Sequence, residues 1–490
     1  MLNQHLLAAM FITLLGGIFI LAWVDSKKDL LIRNISNIVV GLQSWMSLEM
    51  MLNFDPAITG MQFAERIRWL PLFTGEYFFG IDGINLPFVC ITNLLIACIL
   101  IITWHQTDRK KSFNILILLA DTGLIGLFTS NNLLLWYSFY AISIFTVYLL
   151  VGLWCPNDSS RNRIALAGVV SLALVLLGLL LLVFESRIPS LDITELGNGA
   201  KLPLSSQLLI TSILSLGFFI LIPIFPFHSW LIDLIDRLPL SLLVLVFGVF
   251  TKIGAFGIFR ILLPILPNTT PIFSYIYTVW GICGFVYFML CGLGSTNPKL
   301  SLGFMMTGLA STFLIGMGVF IGYSERVHTG LNGLIGSYLQ LVSQALLAPA
   351  LFIAISGQKV SSQVADNGRR HYITPILISF CFLTIIGVPG TLSFVTIIYL
   401  ILGILHNTLT ITVACFYVLG LILSMVIVLR FFKIFIFTAE NRLELSFNEK
   451  ICLSILSVFL LLPGLFPGYM ISIFQHKLQD ILTIITATVK

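Results

Sequence analysis

Residues 218–260 read FFILIPIFPFHSWLIDLIDRLPLSLLVLVFGVFTKIGAFGIFR. The run is apolar, breaks at Pro223 and Pro226, and turns polar around His228, Asp233, Asp236 and Arg237. It restarts at Pro239 and carries Lys252 inside a second apolar run. A lysine near the middle of a bilayer costs about 2.5–3.5 kcal/mol, so this one is expected to face protein or a wet cavity. A helix broken by proline at membrane depth persists only where protein or water satisfies the freed backbone groups. Together the two features predict a transport site.

Outward from this stretch the whole chain reads as membrane protein. Charged residues make up 10% of 490, against about 25% in a soluble domain. Mean hydropathy is +1.04. With roughly 20 residues per crossing, the apolar runs predict an all-α polytopic protein of about fourteen spans. The net charge of +5 sits mainly in loops, where it reports topology and not a nucleic-acid partner. Lys27, Lys28, Arg33, Arg109, Lys110, Lys111, Arg161, Arg163, Arg369 and Arg370 mark the cytoplasmic or matrix side, with both termini on the other. The eight cysteines are scattered and form no CxxC pair, so neither a disulfide framework nor a zinc or iron–sulfur site is suggested. No flavin, quinone, haem or nucleotide motif stands out. Met1–Trp23 reads as a retained first helix.

The expected organisation is residues 1–112 as three N-terminal helices, with 53–83 too polar to span and lying across the outer surface. A first five-helix repeat follows at 113–262, a second at 263–437, and a last helix with a tail at 438–490. Residues 186–205 read as a loop, and 357–372 as a polar one. Each repeat has its fourth span broken by proline, at 223–226 and within GVPGTLSF at 387–394. Five is odd, so the second set would be inverted relative to the first, with the site at the broken helices.

Lys252 is the leading candidate, because a buried amine can exchange a proton in the working range; the alternative is a structural ion pair. Asp121, inside ILILLADTGLIGLFTS, is a functional acid by the same intramembrane rule or a hydrogen-bonded packing residue. His228 could shuttle protons or simply pack beside Trp230. Asp233 and Asp236 belong to a polar mouth or to a solvated face. Gln340, Ser343 and Gln344 read as interhelical hydrogen bonders.

NFDPAITGMQFAERIRWLP (53–71), FFGIDGINLPF (78–88), FPFHSWL (225–231), TKIGAFGIFRILLPILP (251–267), GVPGTLSF (387–394) and GLFPGYM (464–470), in this order, resemble the chain 4 family of respiratory complex I, NADH:ubiquinone oxidoreductase. The resemblance covers nearly the whole length. It implies fourteen helices with two inverted five-helix repeats, and an antiporter-like, proton-translocating role in the membrane arm. It implies no redox centre in this chain, with FMN, iron–sulfur clusters and ubiquinone in the parent complex. The implied partners are other membrane-arm subunits, the antiporter-like chains 2 and 5, and lipids including cardiolipin. The implied location is the mitochondrial inner membrane, or a bacterial plasma membrane.

By the resemblance, Lys252 matches the family's central lysine, His228 the histidine of its PFHxW motif, Asp121 an acid in the fourth span, and Asp233 the acid after that motif. Several positions depart from the pattern. Ala141 stands where the family has a glutamate, Leu221 a lysine, Leu309 and Gln344 histidines, and Ile397 a glutamate. Those losses imply degenerate half-channels in a chain kept for assembly and for transmitting conformational or electrostatic change. The competing reading is a rerouted path through Lys252, Asp121 and water. The other classes are an Mrp-type cation/proton antiporter subunit and a non-transporting structural subunit.

Overall fold

A computed structural model describes residues 5–70, 75–106, 108–155, 157–188, 190–199, 202–319, 327–359, 373–405, 410–437 and 443–489. Most of the polar 357–372 segment, with Asp366, Arg369 and Arg370, lies outside the described residues, as does Arg326. Among the described residues twelve helices are long and apolar enough to cross a membrane, and two shorter apolar ones sit at Ile373–Ile386 and Leu392–Leu405.

The chain divides into two compact units: Met1–Pro223, Val249–Pro271 and Ser472–Lys490 form the first, and Ile224–Gly248 and Ile272–Ile471 the second. The first begins with α1 (Leu6–Trp23) and α2 (Asp29–Leu52), followed by strands β1 (Gln62–Leu70) and β2 (Gly75–Ile81). Then come α3 (Leu86–Ile102), α4 (Lys110–Thr129), α5 (Leu133–Trp154), α6 (Asp158–Ser186), α7 (Ile193–Gly199) and α8 (Leu204–Leu221). Here α1 packs on α2 and α4, α4 on α5, and α6 on α8. Asn132 opens α5 by accepting from the Leu134 and Leu135 amides, which satisfies two of the helix's orphan donors.

The segment 53–83 is a β-hairpin and not a featureless surface stretch. β1 pairs antiparallel with β2, Gln62 opposite Ile81 and Arg66 opposite Phe78, with a register shift between Gln62 and Glu65. Phe63 has φ 50° there, as a bulge residue does. The expected loop at 186–205 likewise contains a short helix, α7, and Asn132 bridges to Asp192 beside it.

In the second unit α9 (Ser229–Ile235) and α10 (Leu240–Gly248) precede α13 (Thr270–Gly294), α14 (Pro298–Val319) and α15 (Val327–Ser356), with the short α11 (Ile253–Gly257) and α12 (Leu263–Ile265) falling between in the first unit. A two-residue ladder joins β3 (Gln358–Lys359) to β4 (Leu443–Glu444). α16 (Ile373–Ile386), α17 (Leu392–Leu405), α18 (Thr410–Phe432) and α19 (Phe447–Leu465) follow, and α20 (Pro467–Val489) ends the chain. The expected last helix therefore stops at Leu465, and where a tail was expected a separate helix starts at Pro467, where proline is suited to a first turn. Both proline breaks are present. α8 ends at Leu221 ahead of Pro223, and α16 and α17 are separated by Gly387 (φ 79°) and Gly390 (φ 92°), a conformation L side chains rarely adopt.

Apolar side chains gain little by leaving lipid for another helix, so close packing between small residues holds such bundles together. α15 packs on α10, α14, α17 and α19. Where α17 crosses α15, a Cβ added at Gly403 would lie 2.6 Å from the Gly333 Cα. Gly403→Leu should therefore overpack this crossing, at a cost of about 1–3 kcal/mol, and lower the amount of chain recovered from membranes. Gly468, with nothing within 4 Å of an added Cβ, should accept alanine with no loss; immunoblotting of membrane fractions compares the two.

Candidate functional site

Every residue from Ser241 to Leu263 is buried, as expected of a helix apolar on all sides. The sequence predicts one continuous rod here, and the structure breaks it. α10 ends at Gly248, and Val249 leaves helical geometry with φ −122°. A 3-10 turn covers Phe250–Lys252, closed by the Lys252 amide donating to the Val249 carbonyl at 2.9 Å. After α11, a π-turn spans Ile258–Leu262, with the Leu263 amide bonded to the Ile258 carbonyl. Irregular turns of this kind inside helices concentrate at functional sites.

Lys252 is 4% exposed, and its Nζ donates to the Thr251 hydroxyl at 3.3 Å. Two glycines let its segment approach α8: a Cβ at Gly254 would lie 2.4 Å from the Phe218 carbonyl oxygen, and one at Gly257 2.7 Å from the Phe218 ring. Phe218 in turn meets Trp136 and Tyr140 of α5, with ring centroids 6.0 and 6.5 Å away. The Tyr140 hydroxyl bonds Ser171 at 2.7 Å, and Ser171 donates to the Gly217 carbonyl. On this side α5 and α8 thus present aromatic rings and capped hydroxyls, with half-buried Ala141 and buried Leu221 beside them. No carboxylate–ammonium pair forms at those two positions.

Asp121 is completely buried on α4, and neither carboxylate oxygen has a hydrogen-bond partner among the described residues. Seven residues on, Phe128 stands on nearly the same helix face. It meets Phe256 at 4.9 Å and Phe88 at 5.2 Å. Both α4 and the Lys252 segment run toward Asn131, which Arg260 reaches at 2.7 Å. At 1.5 Å per residue, Asp121 lies about 10 Å before Phe128, and Lys252 about 6 Å before Phe256. The acid and the amine thus lie on two elements that meet at the Phe128–Phe256 contact.

The other two candidates lie in the second unit. His228 is half-buried in a wall of rings, 4.8 Å from Phe288, 5.5 Å from Tyr287 and 6.0 Å from Phe225. Asp233, on α9, is half-buried. The middle of that unit is neutral. Gln340 donates to the Leu309 carbonyl at 2.9 Å, Gln344 to the Met306 carbonyl at 3.2 Å, and Ser343 and Ser393 share a bond of 2.9 Å. Asp82, Lys110, Asp121, Asp192, Lys252 and Arg260 are buried, and all belong to the first unit. Among the described side chains of the second unit, no Asp, Glu, Lys, Arg or His is buried.

Sequence reasoning missed a buried ion pair. Arg260, 4% exposed, donates from Nη1 to Asp82 Oδ2 at 2.6 Å and from Nη2 to Asn131 Oδ1 at 2.7 Å. Asn131 passes the chain on to Asp192 at 2.9 Å, and Arg66 of β1 reaches Asp192 at 3.3 Å. Asp82 is fixed by the Ile84 and Asn85 amides, each at 3.1 Å. The signal for Arg260 was the rule applied to Lys252, an ionised side chain inside an apolar run; for Asp82, in a short link after β2, there was none. Burial alone would raise the Asp82 carboxyl. The charges of Arg260 and Lys477, with hydrogen bonds from Arg260 and Asn85, outweigh it and hold the group below the ordinary carboxylate range.

The family described as "NADH:quinone oxidoreductase/Mrp antiporter, TM" matches residues 130–424, more than half of the chain. NADH-quinone oxidoreductase subunit M of Rickettsia typhi is 26% identical, covering 96% of this chain and 97% of its own. NADH-ubiquinone oxidoreductase chain 4 of Chondrus crispus is 26% identical, with 97% of each chain covered. A chain of respiratory complex I from Thermus thermophilus shares the fold with a TM-score of 0.80 at 20% identity, covering 98% of this chain and all of that one. A chain of the Mrp complex from Dietzia sp. does so with 0.82 at 17% identity, over the full length of both.

The lowered Asp82 carboxyl fixes the sign of a pH effect. Its stabilisation is complete above the ordinary carboxylate range and is lost as pH falls through the lowered value. Asp82→Asn, which leaves Arg260 buried without its counter-charge, should cost about 3–5 kcal/mol at neutral pH. It should also abolish the acid-side loss attributable to this group. Thermal unfolding of the solubilised assembly at neutral and acidic pH reads both effects.

Proposed function

This chain belongs to the NADH:quinone oxidoreductase/Mrp antiporter family, and on that premise we propose that it is the chain 4-type, antiporter-like subunit of a respiratory NADH:quinone oxidoreductase. It carries no redox centre of its own; flavin, iron–sulfur clusters and quinone belong to the parent complex. Its place is the membrane arm, next to the other antiporter-like chains, in the mitochondrial inner membrane or, as in the Rickettsia relative, a bacterial one. What supports complex I over an Mrp-type antiporter is similarity over nearly the full length of relatives named for the oxidoreductase.

Within that complex the chain is an electrostatic coupling element with a degenerate through-path. One observation carries this reading: among the described side chains, every buried Asp, Lys and Arg belongs to the first unit, while in the second Gln340, Ser343 and Gln344 hold neutral hydrogen bonds. Asp121 and Lys252, on elements that meet at the Phe128–Phe256 contact, exchange a proton locally through water in this scheme, the acid taking it up and the amine responding to the change in charge. Gln340 and Gln344 donate to backbone carbonyls and offer no ionised state, and neither do Leu309 or Ile397. His228 and Asp233 act in this scheme as polar side groups of the second unit and not as members of a continuous relay.

The reading predicts a split between rate and stoichiometry. Lys252→Met in the assembled enzyme should lower NADH:quinone turnover by about tenfold, a barrier change of about 1.4 kcal/mol. Protons moved per electron in the surviving turnovers should stay unchanged. A lower proton-to-electron ratio in the variant, measured in sealed vesicles, would show that protons cross this chain and would favour the rerouted path through Asp121 and Lys252.

A further inference from the structure

The Lys252 segment changes its helical geometry several times within a short stretch. From Val249 to Ile265 it passes through a 3-10 turn, five α residues, a π-turn and a three-residue α turn. A π-turn holds one residue more than an α-turn, so it offsets everything before it from everything after it by about 100° around the helix axis. Arg260 is the middle residue of the π-turn. Its guanidinium is buried, and two of its nitrogens are claimed by fixed acceptors on different parts of the first unit: Asp82 ahead of α3, and Asn131 ahead of α5.

Those acceptors are themselves immobilised. The Asp82 amide donates to Asn85 Oδ1, while Asn85 Nδ2 donates to the Gly80 and Phe128 carbonyls. The Asn131 amide donates to the Phe78 carbonyl, and its own carbonyl accepts from Ile193. Ahead of the π-turn, Gly254 and Gly257 are packed closely against Phe218. The segment is therefore held just before the turn and at the turn's middle residue, Arg260.

We propose that the Asp82–Arg260 pair, with Asn131, is a positioning device for Lys252: it retains the π-turn and so sets the direction in which the lysine points. Arg260 is a positioning residue, since its guanidinium bonds Asp82, Asn131 and the Met61 sulfur. The proposal rests on the reading of Lys252 as the chain's electrostatic coupling group. Pro264 is the competing cause. It lacks the N–H that an α-turn would send to the Arg260 carbonyl, and its ring crowds that oxygen. Proline thereby loosens the turn without choosing its direction; the choice falls to a buried cation that must meet its carboxylate, since leaving it unpaired costs several kcal/mol.

The test is high-resolution cryo-electron microscopy of the assembled complex carrying Arg260→Gln, Asp82→Asn or Pro264→Ala. With Arg260→Gln or Asp82→Asn, residues 258–262 should become α-helical, and the angle between positions 252 and 260 around the axis should change by about 100°. With Pro264→Ala the π-turn should remain, because the pair is intact. A π-turn that survives loss of the pair, or that vanishes with Pro264 alone, overturns the proposal. If Arg260→Gln does not assemble, the other two variants decide by the same criteria. Turnover of Asp82→Asn, expected to fall as far as that of Lys252→Met, is measured alongside. A reoriented lysine with full turnover leaves the positioning standing and overturns the coupling role assigned to Lys252.

Discussion

A charge buried in an apolar bundle must find its counter-charge there, and in this protein that requirement organises the first unit. Arg260 meets Asp82 and Asn131, Asn131 meets Asp192, and Asp192 meets Arg66 on the hairpin. The contacts join residues 61 to 178 positions apart in sequence. Each member is worth little alone, but removing one leaves a buried charge or amide unsatisfied, which is what makes such networks unforgiving. The hairpin, the starts of α3 and α5, and the π-turn near Lys252 are thus parts of one electrostatic arrangement.

Against that background the difference between the two units has a physical meaning. The first keeps buried acids and bases; the second keeps hydrogen-bonding amides and hydroxyls, which can order water but cannot hold a charge at modest cost. Burying an ionised group without a partner costs more than a hydrogen bond returns, so loss of the acids and bases in the second unit would remove a cost along with a function. A subunit of this kind can still respond to charge in its neighbours through Lys252 and Asp121 without itself conducting.

Much of the fold was legible in the sequence because hydropathy at twenty-residue scale is a strong signal and proline within it is unambiguous. The spans, the breaks at Pro223–Pro226 and at 387–391, and the burial of Lys252 all follow from those two cues. The hairpin at 62–81 was not legible: its side chains are mixed, and it meets Ser130 and Asn131 far along the chain. α20 was obscured because the apolar run continues across Pro467. The irregular turns around Lys252 were invisible because 3-10, α and π segments share the same apolar composition. Asp82 and Arg260 lie 178 residues apart, and no local pattern announces that pairing. The sequence-level resemblance placed Ala141, Leu221, Leu309 and Ile397 at positions where the family is charged, and packing around α5 and α8 explains how the first two are accommodated.

The central claim is that charge can shift within the first unit and finds no way through the second. Ordered water resolved by cryo-electron microscopy in the assembled complex tests it most directly. The account predicts waters linking Asp121 to Lys252, and only isolated waters around Gln340 and Gln344, joined to neither membrane surface. A continuous file of water past Gln344 reaching a membrane face would contradict it.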